Sequence, residues 1–440
     1  MAVRIRIRQG GERINRRGPI VGADPTSDAS PRRRRRYLGR LGPGVISGAA
    51  DVDPTTVATL AVIGAGTIYR LAWLTVLLFP MIAVVQVIST HVGTIGRKDL
   101  QTAVAGNYGS LARWLLLISI LAVTIVTIGA DLEGGAAAIG LLTGLDWRWF
   151  VLPLSLGLLA VLIFGSFHQV QRALKYVLLC LLAYAVAAVL AHPNWGEVVR
   201  GSLVPNFQWT GGYTAGALSL LGTTLTSYVY VWQTIAQAER WPSREGLRAG
   251  KKDAILGSFF AVAVCWFILV ATGATLGVHH LHANTAADAA RALRPVAGSL
   301  AGGLFAFGLL ASAFVALPVL IATTAYVTGA QLEWRRGLSV KVREAPLFYG
   351  ALVSAAMLGS GVALSGISPI RLLFIAGIIG GIATPIGLIL LLAVAGDGNL
   401  MHDRPVSRPL LVAGWIVTTV IGVTCLAFFV QQISVGLWAK

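Results

Sequence analysis

Runs of predominantly apolar residues, separated by short polar segments, recur eleven times along the chain. They fall at about 44–68, 71–95, 111–131 (apolar on to 143), 149–166, 173–191, 212–237, 254–278, 297–328, 347–366, 370–395 and 409–434. Most approach the roughly 20 residues an α-helix needs to cross a hydrocarbon core of about 30 Å. The pattern predicts an all-α integral membrane protein with 11 transmembrane helices. Two runs are interrupted by polar groups. The first contains Asp51 and Asp53, with Pro54 directly behind them, in "GAADVDPTTVATLAVIGAG". The sixth contains Thr223, Thr224, Thr226, Ser227 and Tyr228 in "LLGTTLTSYVYVWQ".

An ionised Asp near the bilayer centre costs at least about 2.5–3.5 kcal/mol. A proline inside such a helix removes a backbone hydrogen bond and frees a carbonyl, which protein or a water-filled cavity must receive. Asp53-Pro54-Thr55-Thr56 therefore gathers a carboxylate, two hydroxyls and freed carbonyls, all oxygen donors suited to a cation. A kinked helix with its Asp paired to a basic group is the alternative, but the first ten spans offer almost no Lys or Arg as a partner. In the sixth run the alternative is Thr and Ser bonding back to their own helix. The two interruptions lie five spans apart, the spacing expected of two inverted five-helix repeats. These are placed at about 41–192 and 210–395, with an extra helix at about 409–434. Asp51 lies two residues before Asp53, about 200° away on an ideal helix. It shares the cavity only if the helix unwinds there; otherwise it faces a neighbouring helix or an outer vestibule and attracts cations from there.

Composition agrees with the pattern, at 56% hydrophobic and 12% charged residues. The net charge of +17 changes the picture through its location. Twelve of the 35 Lys and Arg residues lie in positions 1–40, a segment with no apolar stretch resembling a signal peptide. That segment reads as a disordered basic cytoplasmic tail touching anionic lipid. Apart from Tyr37, no aromatic residue interleaves its arginines for base stacking, so a nucleic-acid partner is not expected. With the N-terminus inside, only Arg70, Arg148, Arg200, Arg291, Arg294, Arg371 and Lys440 of the 35 fall outside. This asymmetry predicts a cytoplasmic N-terminus, an external C-terminus and a bacterial-type inner membrane.

Cys180, Cys265 and Cys425 are far apart in apolar runs and read as small core residues. HExxH, GxSxG and GxxxxGK[ST] are absent, and "GPGVISG" enters a span instead of leaving a strand, so neither an enzyme nor a cofactor is expected. His279, His280 and His282 lie between spans seven and eight, as a solvated loop or a weak metal-gathering one.

In order along the chain, "GPGVISGAADVDPTTVATL", "GRKDL", "ADLEGGAAAIGLLTG", "LLGTTLTSYVYVWQ", "FAFGLLAS" and "IATPIGLILLLAVAGDGNLM" resemble the NRAMP family of divalent metal transporters. The likeness covers roughly 41–435. It implies a LeuT-like fold of two inverted five-helix repeats plus one helix. It also implies a metal site at Asp53, Thr56, Thr223 and Thr226.

The departures from the family are specific. Its Asp-Pro-Gly-Asn becomes Asp53-Pro54-Thr55-Thr56, and the Met of its Met-Pro-His becomes Thr226. That change removes the soft ligand that favours transition metals. Tyr228 and Gln233 occupy the places of two family histidines, and neither titrates near neutral pH. In span three Asp131 is kept, but the acid three residues on is Gly134, with Glu133 one residue early. Asp131 and Glu133 could relay protons, solvate a cavity or hold a helix contact. The pattern of DPTT with TSY resembles the NRAMP-related magnesium transporter branch. The expected function is therefore uptake of Mg²⁺, with Mn²⁺ as a second cargo, by alternating access without proton coupling, in a monomer. The alternatives are a proton-coupled Mn²⁺ or Fe²⁺ importer of the NRAMP type, and a non-transporting membrane receptor or scaffold. A sodium-coupled solute carrier is opposed by a carboxylate placed where it would repel a substrate carboxylate.

Overall fold

Asp53 and Thr226 each sit in extended backbone between two helices, so the first and sixth apolar runs are each folded as two pieces. The computed structural model describes residues 42–165, 180–208, 211–239, 244–281, 286–367 and 369–438. The basic tail, the start of the run at 173–191 and His282 lie outside them.

The helices in chain order are α1 (Pro43–Ala50), α2 (Pro54–Thr67), α3 (Ala72–Gly96), α4 (Leu100–Asn107), α5 (Ser110–Thr143), α6 (Arg148–Phe164), α7 (Ala183–Leu190), α8 (Trp195–Leu203), α9 (Gly211–Thr224) and α10 (Ser227–Ala238). They continue with α11 (Arg244–Thr272), α12 (Ala286–Gln331), α13 (Pro346–Ala363), α14 (Pro369–Gly396) and α15 (Arg408–Trp438). A π turn, Gly273–Gly277, extends α11. The chain is all-helical, with no strand among the described residues. Among the described residues, seven helices are long and apolar enough to cross a membrane. The remaining expected spans are the two broken runs, the 17-residue α6 and the partly described fifth run, so length alone does not count out eleven.

Small residues let the helices approach closely, as in membrane bundles generally. A Cβ on Gly48 of α1 would overlap the Gly257 carbonyl of α11, and one on Gly257 would overlap the Gly44 carbonyl. The Asp253 carboxylate on α11 accepts the amide N–H groups of Gly42 at 2.8 Å and Gly44 at 2.7 Å. These include amides that the start of a helix leaves without internal partners, and the negative charge suits the helix dipole there. The outer face of the bundle is apolar: Trp149, Leu156 and Phe164 of α6 and Val423 and Leu426 of α15 are exposed, as lipid contact requires.

At the end of the bundle expected to face the cytoplasm, polar groups tie α4, α10 and the segment after α12 together. Arg336, after α12, pairs with Asp99 at 2.9 Å and donates to the Thr102 hydroxyl at 2.6 Å, both at the start of α4. Tyr326 of α12 donates to Glu239 at 3.0 Å, at the end of α10, and accepts from the Leu338 amide at 3.1 Å. Burial pushes the Glu239 carboxyl above its ordinary pKa, opposed by the Tyr326 hydrogen bond and by Arg336.

Candidate metal centre

The break in span one is built by three consecutive residues. α1 ends at Ala50, Asp51 closes it in right-handed helical geometry, and Asp53 turns extended at φ −78° and ψ 166°. Pro54 then opens α2, where a residue without an N–H costs no hydrogen bond. Asp53 caps this second piece: its Oδ1 accepts from the Thr56 amide at 2.6 Å. Every residue from 42 to 61 is buried, so the break is closed off from solvent.

The break in span six has no such cap. Thr226 is extended at φ −63° and ψ 144°, and its side chain makes no capping hydrogen bond to α10. The Thr226 hydroxyl is instead buried without a partner, as is that of Ser227. Thr223 bonds back to its own helix, its hydroxyl lying 2.8 Å from the Ser219 carbonyl, so what it offers the break is its carbonyl. The Thr56 hydroxyl reaches that carbonyl at 3.4 Å. Tyr228, at the start of α10, lies 2.9 Å from Asp53 Oδ2 and 2.8 Å from the Ala50 carbonyl. One phenolic proton is thus shared between the carboxylate and a carbonyl freed by the break. Thr384 of α14 braces the second break: its hydroxyl donates to the Leu225 carbonyl at 3.1 Å and its backbone carbonyl accepts from the Tyr230 hydroxyl at 3.2 Å.

Asp131 of α5 stands behind span one. Its Oδ1 accepts from the Thr55 amide at 3.1 Å and the Thr55 hydroxyl at 2.9 Å, while its Oδ2 is buried without a partner. Two carboxylates therefore hold the first amides of α2. Gly134, where the resemblance would place a second acid, lies against the Pro54 ring, and a Cβ there would come within 2.7 Å of the Pro54 Cβ. Glu133 is buried on α5 without a described hydrogen bond and takes no part in this capping. Gln233 lies a turn and a half beyond Tyr228, accepting from Ser47 at 2.6 Å and donating to Thr90 at 2.8 Å. It cross-links α1, α10 and α3 below the break.

Asp53, Thr56, the Thr223 carbonyl, Thr226 and Tyr228 are thus brought together, Asp51 borders them, and Gln233 and Glu133 stand apart. Asp51 Oδ1 is buried and unpartnered. None of Asp51, Asp53 and Asp131 forms an ion pair among the described residues, so their charge is left for a cation or a proton to neutralise. No three His, Cys, Asp or Glu side chains form a preassembled metal cluster among the described residues, and His279 and His280 are exposed. The donor set is chiefly carboxylate, hydroxyl and carbonyl oxygen. Reading the sequence missed Thr384, although Pro385 inside α14 marks that stretch of span ten as irregular.

Residues 44–431 match the Nramp family, described as natural resistance-associated macrophage protein-like. The chain is 28% identical over 417 residues to the divalent metal cation transporter MntH of Deinococcus radiodurans, covering 91% of this chain and 92% of that one. It is also 28% identical over 446 residues to MntH of Xylella fastidiosa, covering 95% and 92% respectively. Among solved structures, an Eremococcus coleocola manganese transporter superposes with a TM-score of 0.70 at 19% identity, covering 89% of this chain and 86% of that one. The nucleobase-cation-symport-1 transporter Mhp1 superposes at 0.59 with 16% identity, covering 92% and 94%. The match across nearly the whole chain, on a fold broken at the two expected places, makes this protein a member of the Nramp family of metal transporters.

Proposed function

We propose that the protein takes up Mn²⁺ by alternating access, with a proton moving through Asp131 as the metal is carried. The observation that carries this reading is Asp53: a buried carboxylate at the start of a broken helix, facing the second break and lacking a cationic partner. Mn²⁺ suits carboxylate, carbonyl and water ligands. The relatives named for divalent metal transport and the similarly folded manganese transporter support the same cargo. Asp131 offers a free buried oxygen within the same cluster of acids, a place where a proton can neutralise charge when the metal leaves. With the N-terminus cytoplasmic in a bacterial inner membrane, an inside-negative potential favours divalent uptake by about 4.6 kcal/mol per 100 mV, twice the single-charge value.

A second reading, uncoupled Mg²⁺ uptake, is favoured by the unpartnered Thr226 hydroxyl and by Tyr228 and Gln233, which offer no imidazole. Mg²⁺ dehydrates reluctantly and is held through one or two carboxylates with its waters. Flux in proteoliposomes with Mn²⁺, Mg²⁺ and Ca²⁺ at two pH values, together with a lumenal pH indicator, separates the two. Mn²⁺ influx that acidifies the lumen supports the first reading. Mg²⁺ influx with no pH change replaces it with the second.

A further inference from the structure

We propose that α8 lies on the lipid–water boundary, with phospholipid against one of its faces, and that it holds the end of α2 away from Asp53 at that boundary. The helix runs over Trp195–Leu203 and packs on Tyr69, in the link between α2 and α3, whereas Asp99 and its Arg336 partner lie beyond the far end of α3. At nine residues, about 14 Å long, it is too short to cross a hydrocarbon core. Asn194 caps it, accepting from the Gly196 amide at 3.2 Å and the Glu197 amide at 3.4 Å, and Pro205 follows its end. It is therefore a helix with its own start and stop, set between spans five and six.

Three sectors run along this helix. The first meets protein: Val198 is buried, Ser202 accepts from the Trp266 indole of α11 at 2.8 Å, and a Cβ on Gly201 would come within 2.5 Å of the Tyr69 carbonyl. The second carries Glu197 and Arg200, one turn apart, with Gly196 between them and Trp195, and all three are exposed. That sector suits water. Trp195, Val199 and Leu203, spaced four residues apart on a common face, make the third, which is apolar and yet exposed. Val204 and Phe207 extend it beyond the helix, and Leu203 and Phe207 are 71% and 72% exposed. A helix half-sunk in a bilayer surface shows such an apolar face beside a charged one.

Lipid is the occupant that fits the third sector. Leu182, Val186 and Val189 are the exposed apolar face of α7 in span five, and only residues 191–194 separate that helix from α8, so the strip continues a lipid-facing surface. Trp is enriched at the membrane–water interface, where Trp195 would sit. A second copy of the chain fits less well, because five exposed side chains fall far short of the roughly 20–30 residues a side that a stable interface uses. The hold on α2 follows from Tyr69. Its carbonyl lies against Gly201 of α8 and its ring against Gly273 in the π turn of α11, so the residue just past α2 is gripped from both sides. Its neighbour Ile68, β-branched and at φ 56°, keeps a backbone conformation that persists only where the surroundings impose it.

The test places one fluorescent label at Val199→Cys or Arg200→Cys in full-length protein carrying Cys180→Ser, Cys265→Ala and Cys425→Ser, reconstituted in phosphatidylglycerol–phosphatidylethanolamine vesicles. Retained divalent flux shows that the labelled carrier folds. Phospholipid brominated in its acyl chains should quench the label at 199 severalfold more than at 200, and aqueous iodide should do the reverse. Equal iodide quenching at both positions would put the strip in water and overturn the proposal. A label at 199 shielded from both quenchers, with 199-to-199 cross-links between copies, would make it a dimer contact and overturn it as well. Unaltered protein gives an independent reading: a phospholipid with a diazirine in its acyl chain should tag the peptide containing Trp195–Leu203, and absence of the tag there, with tagging of α7, would count against lipid. The hold on α2 is read by hydrogen exchange in the triple variant Trp195→Ser, Val199→Ser, Leu203→Ser. The amides of Ile68 and Arg70, bonded to the Gly64 and Thr67 carbonyls, should exchange severalfold faster than in wild type, and unchanged exchange would overturn the hold.

Discussion

Tyr228 and Asp53 face each other across the two helix breaks, with the phenolic oxygen 2.9 Å from Oδ2 of the carboxylate. The same hydroxyl lies 2.8 Å from the Ala50 carbonyl, so one side chain from span six closes the gap in span one. Both groups are fully buried, which makes the bond strong and its loss costly.

Tyr228→Phe should therefore yield a folded carrier with impaired turnover. A hydrogen bond to a charged group contributes about 1.5–3 kcal/mol, and its loss from the closed site should reduce divalent flux about tenfold or more. Comparing initial flux with a size-exclusion profile checks this. Unchanged flux would mean that the two breaks need not be bridged.

Asp53→Ala should abolish transport while leaving a detergent-stable protein, because the helix cap and the site's central charge go together. A lost cap costs the fold only about 1 kcal/mol. Asp53→Asn should fail as well: the amide keeps the shape and can still accept from Thr56, but it lacks the charge that offsets dehydration of the ion. Flux above about half of wild type in either variant would move the site elsewhere.

The two breaks were legible because proline, paired acids and a block of hydroxyls are rare in apolar runs, and they are rare because lipid penalises them. Asp53-Pro54 even indicates the mechanism, since its carboxylate caps the helix that its proline starts. The direction of each hydroxyl was not legible. Thr223 and Thr226 look alike in the sequence, yet one bonds back to its helix and the other has no partner, a difference set by where α9 ends. Nor was the role of Gln233, which the resemblance placed where the family has a histidine and which packing makes a cross-link with Ser47 and Thr90. Cys265 read as a small core residue because its neighbours in sequence are apolar, and it does lie in the hydrophobic core.

Thr226→Met should move preference toward Mn²⁺ and Cd²⁺ over Mg²⁺. The Thr226 hydroxyl is buried and unpartnered, so replacing it removes no existing hydrogen bond and introduces a polarisable thioether at the second break. The larger side chain should also narrow a cavity able to hold a hydrated ion. Calorimetric titration across the metal series is the measurement, and an unchanged ranking would show that Thr226 does not reach the metal.

Arg336→Ala should loosen the end of the bundle expected to face the cytoplasm. The side chains of the Arg336–Asp99 pair are only 14% and 10% exposed, so removing one partner leaves a poorly solvated charge, at a cost of up to about 3–5 kcal/mol. A nearby thiol probe on α4 should then label faster from the inside. Asp99→Asn should act in the same direction but more weakly, since an amide still accepts from Arg336 and Thr102. Equal labelling in all three proteins would mean that the pair does not hold this end shut.

The proposed proton coupling turns on Asp131. Its Oδ1 is held by the amide and hydroxyl of Thr55, and its Oδ2 is buried with nothing to bond, so the residue can take a proton without giving up its cap on α2. It lies in the same buried group of acids as Asp53, and two like charges kept out of water resist being ionised together. In the proposed mechanism, a metal arriving at Asp53 would remove the need for that proton, and its departure would restore it. Asp131→Asn keeps an oxygen for Thr55 but cannot release a proton, so Mn²⁺ flux should persist at a reduced rate while metal-linked acidification of the lumen disappears. Acidification that survives in Asp131→Asn would pass the relay to Glu133, the other buried acid on α5. If the wild-type protein itself carries metal without acidifying the lumen, Asp131 is a structural cap alone, and uptake is driven by the membrane potential.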